Sequence, residues 1–456
     1  MEYENRTENP LGVLPVPVLL KKFAVPSIIA MLTSALYNIV DQFFIGNSVG
    51  ALGNAATNIA FPLSTACISI ALLFGIGGAS AFNLAKGRGN EEEAVHCMGN
   101  AITGMMVLGC LLLLVTQLFL ERMIRFFGAP DSIMEYAKTY IRITSLGFPV
   151  LILTAGGGHL IRADGSPKMS MICNVTGAII NTILDALFVF GFDWGMAGAA
   201  WATVIGQYIS VMLVIRYLSH CKTVDLKPKH LKPAAGYMKK DVTLGAASCS
   251  NQLAMMVVQL VMNKSLTYYG GLSSYGQEIP LACAGIITKV NQVFFSIIIG
   301  ISQGLQPIVS YNYGAKQYDR VKKGYLLAAK SGLMISVIAF LIFQIFPRQI
   351  IAIFGNGSEE YIRFAVSYFR IFLFFTFLNF IQPITSNSFT AIGKPGLGMF
   401  LSLTRQILFL LPLIVILPFF IGIDGILFAG PIADGLAGAV AVFLMYRELK
   451  RPEYQV

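Results

Sequence analysis

Two aspartates stand where aspartates are costly. Asp41 lies in NIVDQFFIG (38–46) and Asp185 in NVTGAIINTILDALFVF (174–190), both inside long apolar runs. A carboxylate at the centre of a membrane helix costs about 2.5–3.5 kcal/mol on insertion scales, so such residues usually face a cavity and mark an ion or proton path. Asn38 precedes Asp41 by three residues and Asn181 precedes Asp185 by four. Both spacings put the pair on one helix face. Thr203, in GMAGAAWATVIGQ (195–207), offers a hydroxyl among small residues, and such stretches let helices approach closely. Two carboxylates with amide and hydroxyl oxygens suit a hard cation such as Na⁺. The same pair could hold one proton, because neighbouring carboxylates do not readily both ionise. The competing reading is that each acid caps a helix or bonds inside a bundle. Two acids at equal depth favour the ion site. A third acid, Asp434, sits in IADGLAG (432–438) and is read either as a bond to a neighbouring helix or as a partner for one of the embedded bases, Lys289 and Arg405.

The elements that must position these groups are membrane helices. The chain has 456 residues, of which 55% are hydrophobic and only 12% charged, against about 25% charged in soluble proteins. Mean hydropathy is +0.69. A span needs about 20 apolar residues, and twelve runs qualify: 18–46, 52–84, 95–119, 133–160, 168–190, 195–219, 240–269, 279–309, 320–346, 360–389, 396–419 and 421–446. Segments such as FLLPLIVILPFF are apolar all round, which excludes the alternating strands of a transmembrane barrel. The expected fold class is therefore all-α and integral to the membrane, with twelve transmembrane helices. Basic residues gather in alternate connections: Lys21, Lys22, Lys86, Arg88, Arg162 and Lys168, then 222–240, 316–323, Lys394, Arg447, Lys450 and Arg451. The opposite side keeps chiefly Arg122, Arg125 and Arg348. This bias predicts that both termini are cytoplasmic.

The longest polar segment, CKTVDLKPKHLKPAAGYMKKD, holds six lysines and two prolines and reads as a solvated linker. It divides the chain into a tail (1–15), a first six-helix lobe (16–219), a cytoplasmic linker (220–239) and a second six-helix lobe (240–448). The lobes echo one another. FFGA at 126–129 matches IFGN at 353–356, YIRI at 140–143 matches YFRI at 368–371, and RADGSPK at 162–168 matches TAIGKPG at 390–396, each about 228 positions apart. Six spans per repeat is even, so the two lobes enter the membrane in the same sense and relate by an axis along its normal, with a binding site between them near the midplane. Pro26 interrupts the first span; lacking an N–H it bends the helix, either as a hinge or as a static bend.

Several function classes drop out. No G-x-x-x-x-G-K-[ST] loop is present, and the histidines (His96, His159, His220, His230) lack H-E-x-x-H spacing, which argues against ATP-driven work and against an intramembrane transferase, the remotest of the alternatives. The seven cysteines form no C-x-x-C pair, so neither a disulfide framework nor a zinc site is indicated. Net charge is +10 without aromatic-interleaved basic patches, so nucleic-acid binding is not expected. The acidic tail with Glu2, Glu4 and Glu8 has no adjoining apolar core and does not read as a signal peptide.

PSIIAML (26–32), DQFFIG (41–46), GALGNAA (50–56), RADGSP (162–167), NTILD (181–185) and FGFDWGMAGAA (190–200) occur in this order. Together with twelve spans and the internal repeat, they make the chain resemble the multidrug and toxic compound extrusion (MATE) family, in its MepA-like and DinF-like bacterial branch. The resemblance covers about residues 16–448. It implies two pseudo-symmetric six-helix lobes in a V, in the bacterial cytoplasmic (inner) membrane, acting as a monomer. It implies export of small organic cations by antiport against H⁺ or Na⁺, with no cofactor beyond the coupling ion. Asp41, Asn181, Asp185 and Thr203 match the family's first-lobe cation site, with Asn38 and Asn174 as neighbours. The second lobe lacks an obvious acid in its seventh or tenth span, so a second-lobe cation site is not expected. The alternative within transport is a MOP-type flippase for a lipid-linked or amphipathic substrate, which would want a strongly basic cavity.

Overall fold

The computed structural model describes residues 9–354 and 358–454, apart from the side chain of Ala51. Most of the acidic tail and the GN of IFGN therefore lie outside the described residues. Twelve helices long and apolar enough to cross a membrane are present: α1 Val16–Ser48, α2 Leu52–Gly87, α3 Glu91–Leu118, α4 Asp131–Ala163, α5 Pro167–Gly191 and α6 Gly195–Leu218. They are followed by α7 Ala235–Gly271, α8 Glu278–Gly314, α9 Tyr318–Ile345, α10 Glu359–Ala391, α11 Pro395–Ile421 and α12 Ile423–Leu449. No strand occurs among the described residues. The helices run a few residues beyond the apolar runs of the sequence, because a helix continues past the bilayer wherever its backbone bonds can be kept.

The second six helices repeat the packing of the first. α2 packs on α3 and α4, α4 on α6 and α5 on α6; likewise α8 packs on α9 and α10, α10 on α12 and α11 on α12. The turns repeat as well. Left-handed backbone occurs at Gly50 and Gly276, at Gly89 and Lys316, and at Gly165 and Gly393, pairs 226–228 positions apart. Two further irregularities recur: a 3₁₀ turn breaks α4 at Ser145–Gly147 and α10 at Thr376–Leu378, and a π-helical turn widens α5 at Ala186–Gly191 and α11 at Thr404–Leu410.

The helices that begin each half are shared between halves. The first part of α1 (Leu19, Leu20, Phe23, Ala24) belongs to the core of the second half, whereas Ile45 near its end belongs to the core of the first. Pro26 lies where α1 changes partner. By the same exchange, the base of α7 packs on α2 while Val258, Met262 and Leu266 lie in the second-half core. Glycines permit these crossings. A Cβ on Gly304 would come within 2.5 Å of the Ala24 Cα, and one on Gly245 within 1.7 Å of the Leu73 carbonyl oxygen.

Bonds between the halves gather at the end that carries both termini. Asn312 and Arg320 donate to the Leu11 carbonyl, each at 3.0 Å. Gln306 donates to the Ile76 carbonyl and to Ser80 Oγ, and Lys240 pairs with Glu93 at 2.6 Å. The segment between the halves is docked here too, although its lysines stay exposed, as the solvated-linker reading expects. Buried Asp164 accepts bonds from Tyr217 Oη (2.7 Å), from the backbone N–H groups of Lys222 and Thr223, and from the Thr223 hydroxyl. Ala234 N–H bonds Asn100 and Thr103 bonds the Leu231 carbonyl. The lysine run hid these polar anchors, because charge density alone does not show which backbone groups find partners.

Candidate functional site

α5 and α6 cross antiparallel along a ladder of small and polar side chains. Ser210 Oγ donates to the Cys173 carbonyl at 2.9 Å. One turn on, Gly177 meets Gly206, where a Cβ on Gly206 would sit 3.0 Å from the Gly177 carbonyl oxygen. This close approach brings the next rung together: Asn181 Nδ2 donates to Thr203 Oγ1 at 3.2 Å, and Thr203 in turn donates to the Ala199 carbonyl at 3.0 Å. Asp185 follows Asn181 by one turn on the same face, just before the π-helical turn. α1 packs against α5, with Phe44 against Phe190 at 5.5 Å between ring centroids. That contact sets Asp41 opposite Asp185, and the two carboxyl groups lie within hydrogen-bond reach of each other.

The cluster is buried and poor in donors. Asp185 is 0% exposed and Asp41 8%. Asp41 Oδ1, both carboxylate oxygens of Asp185 and Asn181 Oδ1 have no hydrogen-bond partner. Neighbouring carboxylates repel when both are ionised, and buried acceptors left unmatched are destabilising by about 1–3 kcal/mol each. A proton or a hard cation placed among them relieves both terms.

Asp41, Asn181, Asp185 and Thr203 are thus brought together. Asn38 is exposed, so it does not share the buried face of Asp41 as its spacing suggested. Asn174 is half-buried two turns from Asn181 and donates to the Ser170 carbonyl at 2.9 Å. Two residues were missed by sequence reasoning: the Tyr37 hydroxyl reaches Thr203, and Tyr140 of α4 stands close to Asp41, Tyr37 and Asp185. Tyr37 lies one turn before Asp41, a spacing that would have found it.

The embedded bases have specific places. Arg405 pairs with Asp434 at 2.5 Å, both largely buried. These positions are 228 beyond Gly177 and Gly206, so the α11–α12 crossing carries an ion pair where the α5–α6 crossing carries two glycines. Lys289 is half-buried. Arg162, expected in a loop, is instead buried in α4 and donates to Ser170 Oγ and His159 Nδ1, each at 2.9 Å.

A twelve-helix membrane bundle with an internal repeat and a buried pair of acids defines a transporter of small molecules. The sequence profile of the MatE family matches residues 26–187 and 247–416, and the chain belongs to that family. It is 24% identical to the multidrug export protein MepA of Staphylococcus saprophyticus over 93% of this chain and 92% of that protein. It is also 24% identical to MepA of Staphylococcus aureus strain MSSA476, over 95% and 94%. A solved structure of the MATE multidrug transporter DinF-BH in complex with R6G is 32% identical over the full length of both chains, with a TM-score of 0.90. An outward-facing structure of a MATE-family multidrug resistance transporter shares the fold at TM-score 0.90 and 21% identity, over 98% of this chain and 99% of that one. The chain is a multidrug efflux transporter of the membrane and not an enzyme.

Proposed function

We propose that the protein exports lipophilic organic cations by antiport, with Asp41 and Asp185 as the coupling site for inward-moving H⁺ or Na⁺. The observation that carries this reading is the meeting of two buried acids from α1 and α5, with Asp41 Oδ1 and both Asp185 oxygens lacking a hydrogen-bond partner. Asn181 Oδ1 and Thr203 Oγ1 complete an oxygen set that would suit Na⁺, while a shared proton would need the two carboxyl groups alone. Filling the site neutralises its charge, which reduces the hold of the first lobe on a cationic drug; emptying it restores that hold.

The lobes (16–219 and 240–448) rock so that the cleft between them opens to each side of the membrane in turn, with residues 220–239 as the docked connection. Both termini are cytoplasmic on the positive-inside bias. Pro26 serves as hinge, supported by its place at the point where α1 passes from one core to the other. The missing bond to the Lys22 carbonyl lowers the resistance to bending there. A flippase of anionic lipid carriers is less well supported: Arg405, one of the two embedded bases, is already engaged with Asp434. The test is Asp41→Asn in a cellular efflux assay with a lipophilic cationic dye. Efflux should fall at least roughly tenfold, a coupling loss of about 1.4 kcal/mol or more. Normal, ion-dependent efflux would remove Asp41 from the coupling role.

A further inference from the structure

Asp241 is the most secluded acid outside the site above. It lies in the second turn of α7, 0% exposed, and neither carboxylate oxygen has a hydrogen-bond partner. It sits on the seam between the halves, at the end that bears the termini. A Cβ on Gly77 of α2 would lie 1.9 Å from the Asp241 carbonyl oxygen, so the two backbones touch. From α3, Cys97 stands close to it. Lys240, the neighbouring cation on the same turn, is committed to Glu93 of α3. On α2, Gly77 meets the Asp241 backbone, and Ala81 and Leu84 form one apolar cluster with Cys97 and Leu244, against which Tyr237 of α7 and Tyr313 of α8 pack. His96 stacks on Tyr237 one turn before Asp241 and meets His230 of the docked connection at 4.9 Å. His230 is held below its ordinary value by burial, by His96 and by neighbouring lysines.

We propose that Asp241 is a second proton-binding group, facing the cytoplasm, whose protonation permits closure of the cytoplasmic end. The proposal rests on the rocking-lobe reading above. Burying an isolated carboxylate costs several kcal/mol, whereas a protonated carboxyl costs much less. The closed seam therefore binds one proton at Asp241. Separation of α2 from α7 would expose the carboxyl to water and release that proton. The sign follows from linkage: the closed arrangement binds more protons, so it is favoured at low cytoplasmic pH and disfavoured as pH rises. Protonation of His230 acts oppositely, since a protonated ring can no longer accept the Lys227 N–H at Nδ1 and is repelled by the neighbouring lysines, which loosens the docked connection.

The experiment measures distances between nitroxide labels at Glu92 of α3 and Lys323 of α9, both exposed at this end. The full-length chain, with its native cysteines replaced, is reconstituted in lipid nanodiscs. The background is Asp41→Asn, which silences the outer pair, so failure here is separate from failure of the coupling reading, which is judged by transport. Between pH 5.5 and 8.5 the background protein should shift from a short to a longer distance. Adding Asp241→Asn should hold the short distance throughout, while Asp241→Glu, which keeps a titrating group, should retain the shift. An unchanged shift in Asp241→Asn overturns the proposal, as does no shift in the background protein. Loss of the shift in Asp241→Glu would assign the effect to packing and would equally overturn it.

Discussion

At the scale of single residues, the site depends on oxygens that have no donors. Asp41 and Asp185 were legible in the sequence because a charge inside an apolar run needs a reason, and Asn181 and Thr203 followed from helical spacing and small neighbours. Tyr140 was not, since tyrosines are common at membrane-facing positions and carry no such signal, whereas Tyr37 was within reach of the same helical spacing from Asp41. Asp241 was hidden differently: it ends the polar run of the connection and reads as its last residue, although the backbone is already helical from Ala235. Thr203→Val removes the acceptor of the Asn181 bond and one oxygen of the proposed cation set while nearly keeping volume. Its expected outcome is a folded protein whose Na⁺- or proton-driven dye efflux falls several-fold, a loss of about 1 kcal/mol in the range of a single hydrogen bond. Parallel thermal unfolding should show a much smaller change.

At the scale of elements, glycine and ion pairing are alternative solutions to the same crossing. The α5–α6 contact needs Gly177 and Gly206, because backbone approach is what aligns Asn181 with Thr203. Gly206→Leu should push the helices apart, at a cost of about 1–3 kcal/mol from overpacking. It should lower both the unfolding temperature and transport. The equivalent α11–α12 contact is held by Arg405 and Asp434. Arg405→Met leaves a buried acid alone and should destabilise by about 3–5 kcal/mol, whereas Arg405→Met with Asp434→Leu should recover most of that loss. Thermal unfolding of the single and double variants checks this; a double variant no more stable than the single one would contradict it. The sequence showed the repeat through FFGA, YIRI and RADGSPK, but it could not show which rung of a crossing would be glycine and which charged, since both satisfy the same spacing.

At the scale of the whole molecule, the twelve spans and the two-half organisation were plain from hydropathy and from the constant offset between repeats. The exchange of α1 and α7 between the halves was not, because each helix is apolar along its length and hydropathy does not name a partner. This exchange is what gives a bend at Pro26 a global effect: one side of the proline is bound to one core and the other side to the other. The central claim is that charge neutralisation at Asp41 and Asp185 drives export. Reconstituted into proteoliposomes, the protein should move a cationic dye against an imposed gradient of H⁺ or of Na⁺, each applied alone, and Asp41→Asn should abolish that gradient-driven movement while leaving dye binding measurable. Gradient-driven transport that survives in Asp41→Asn, or dye movement in the unaltered protein that ignores both gradients, would contradict the account.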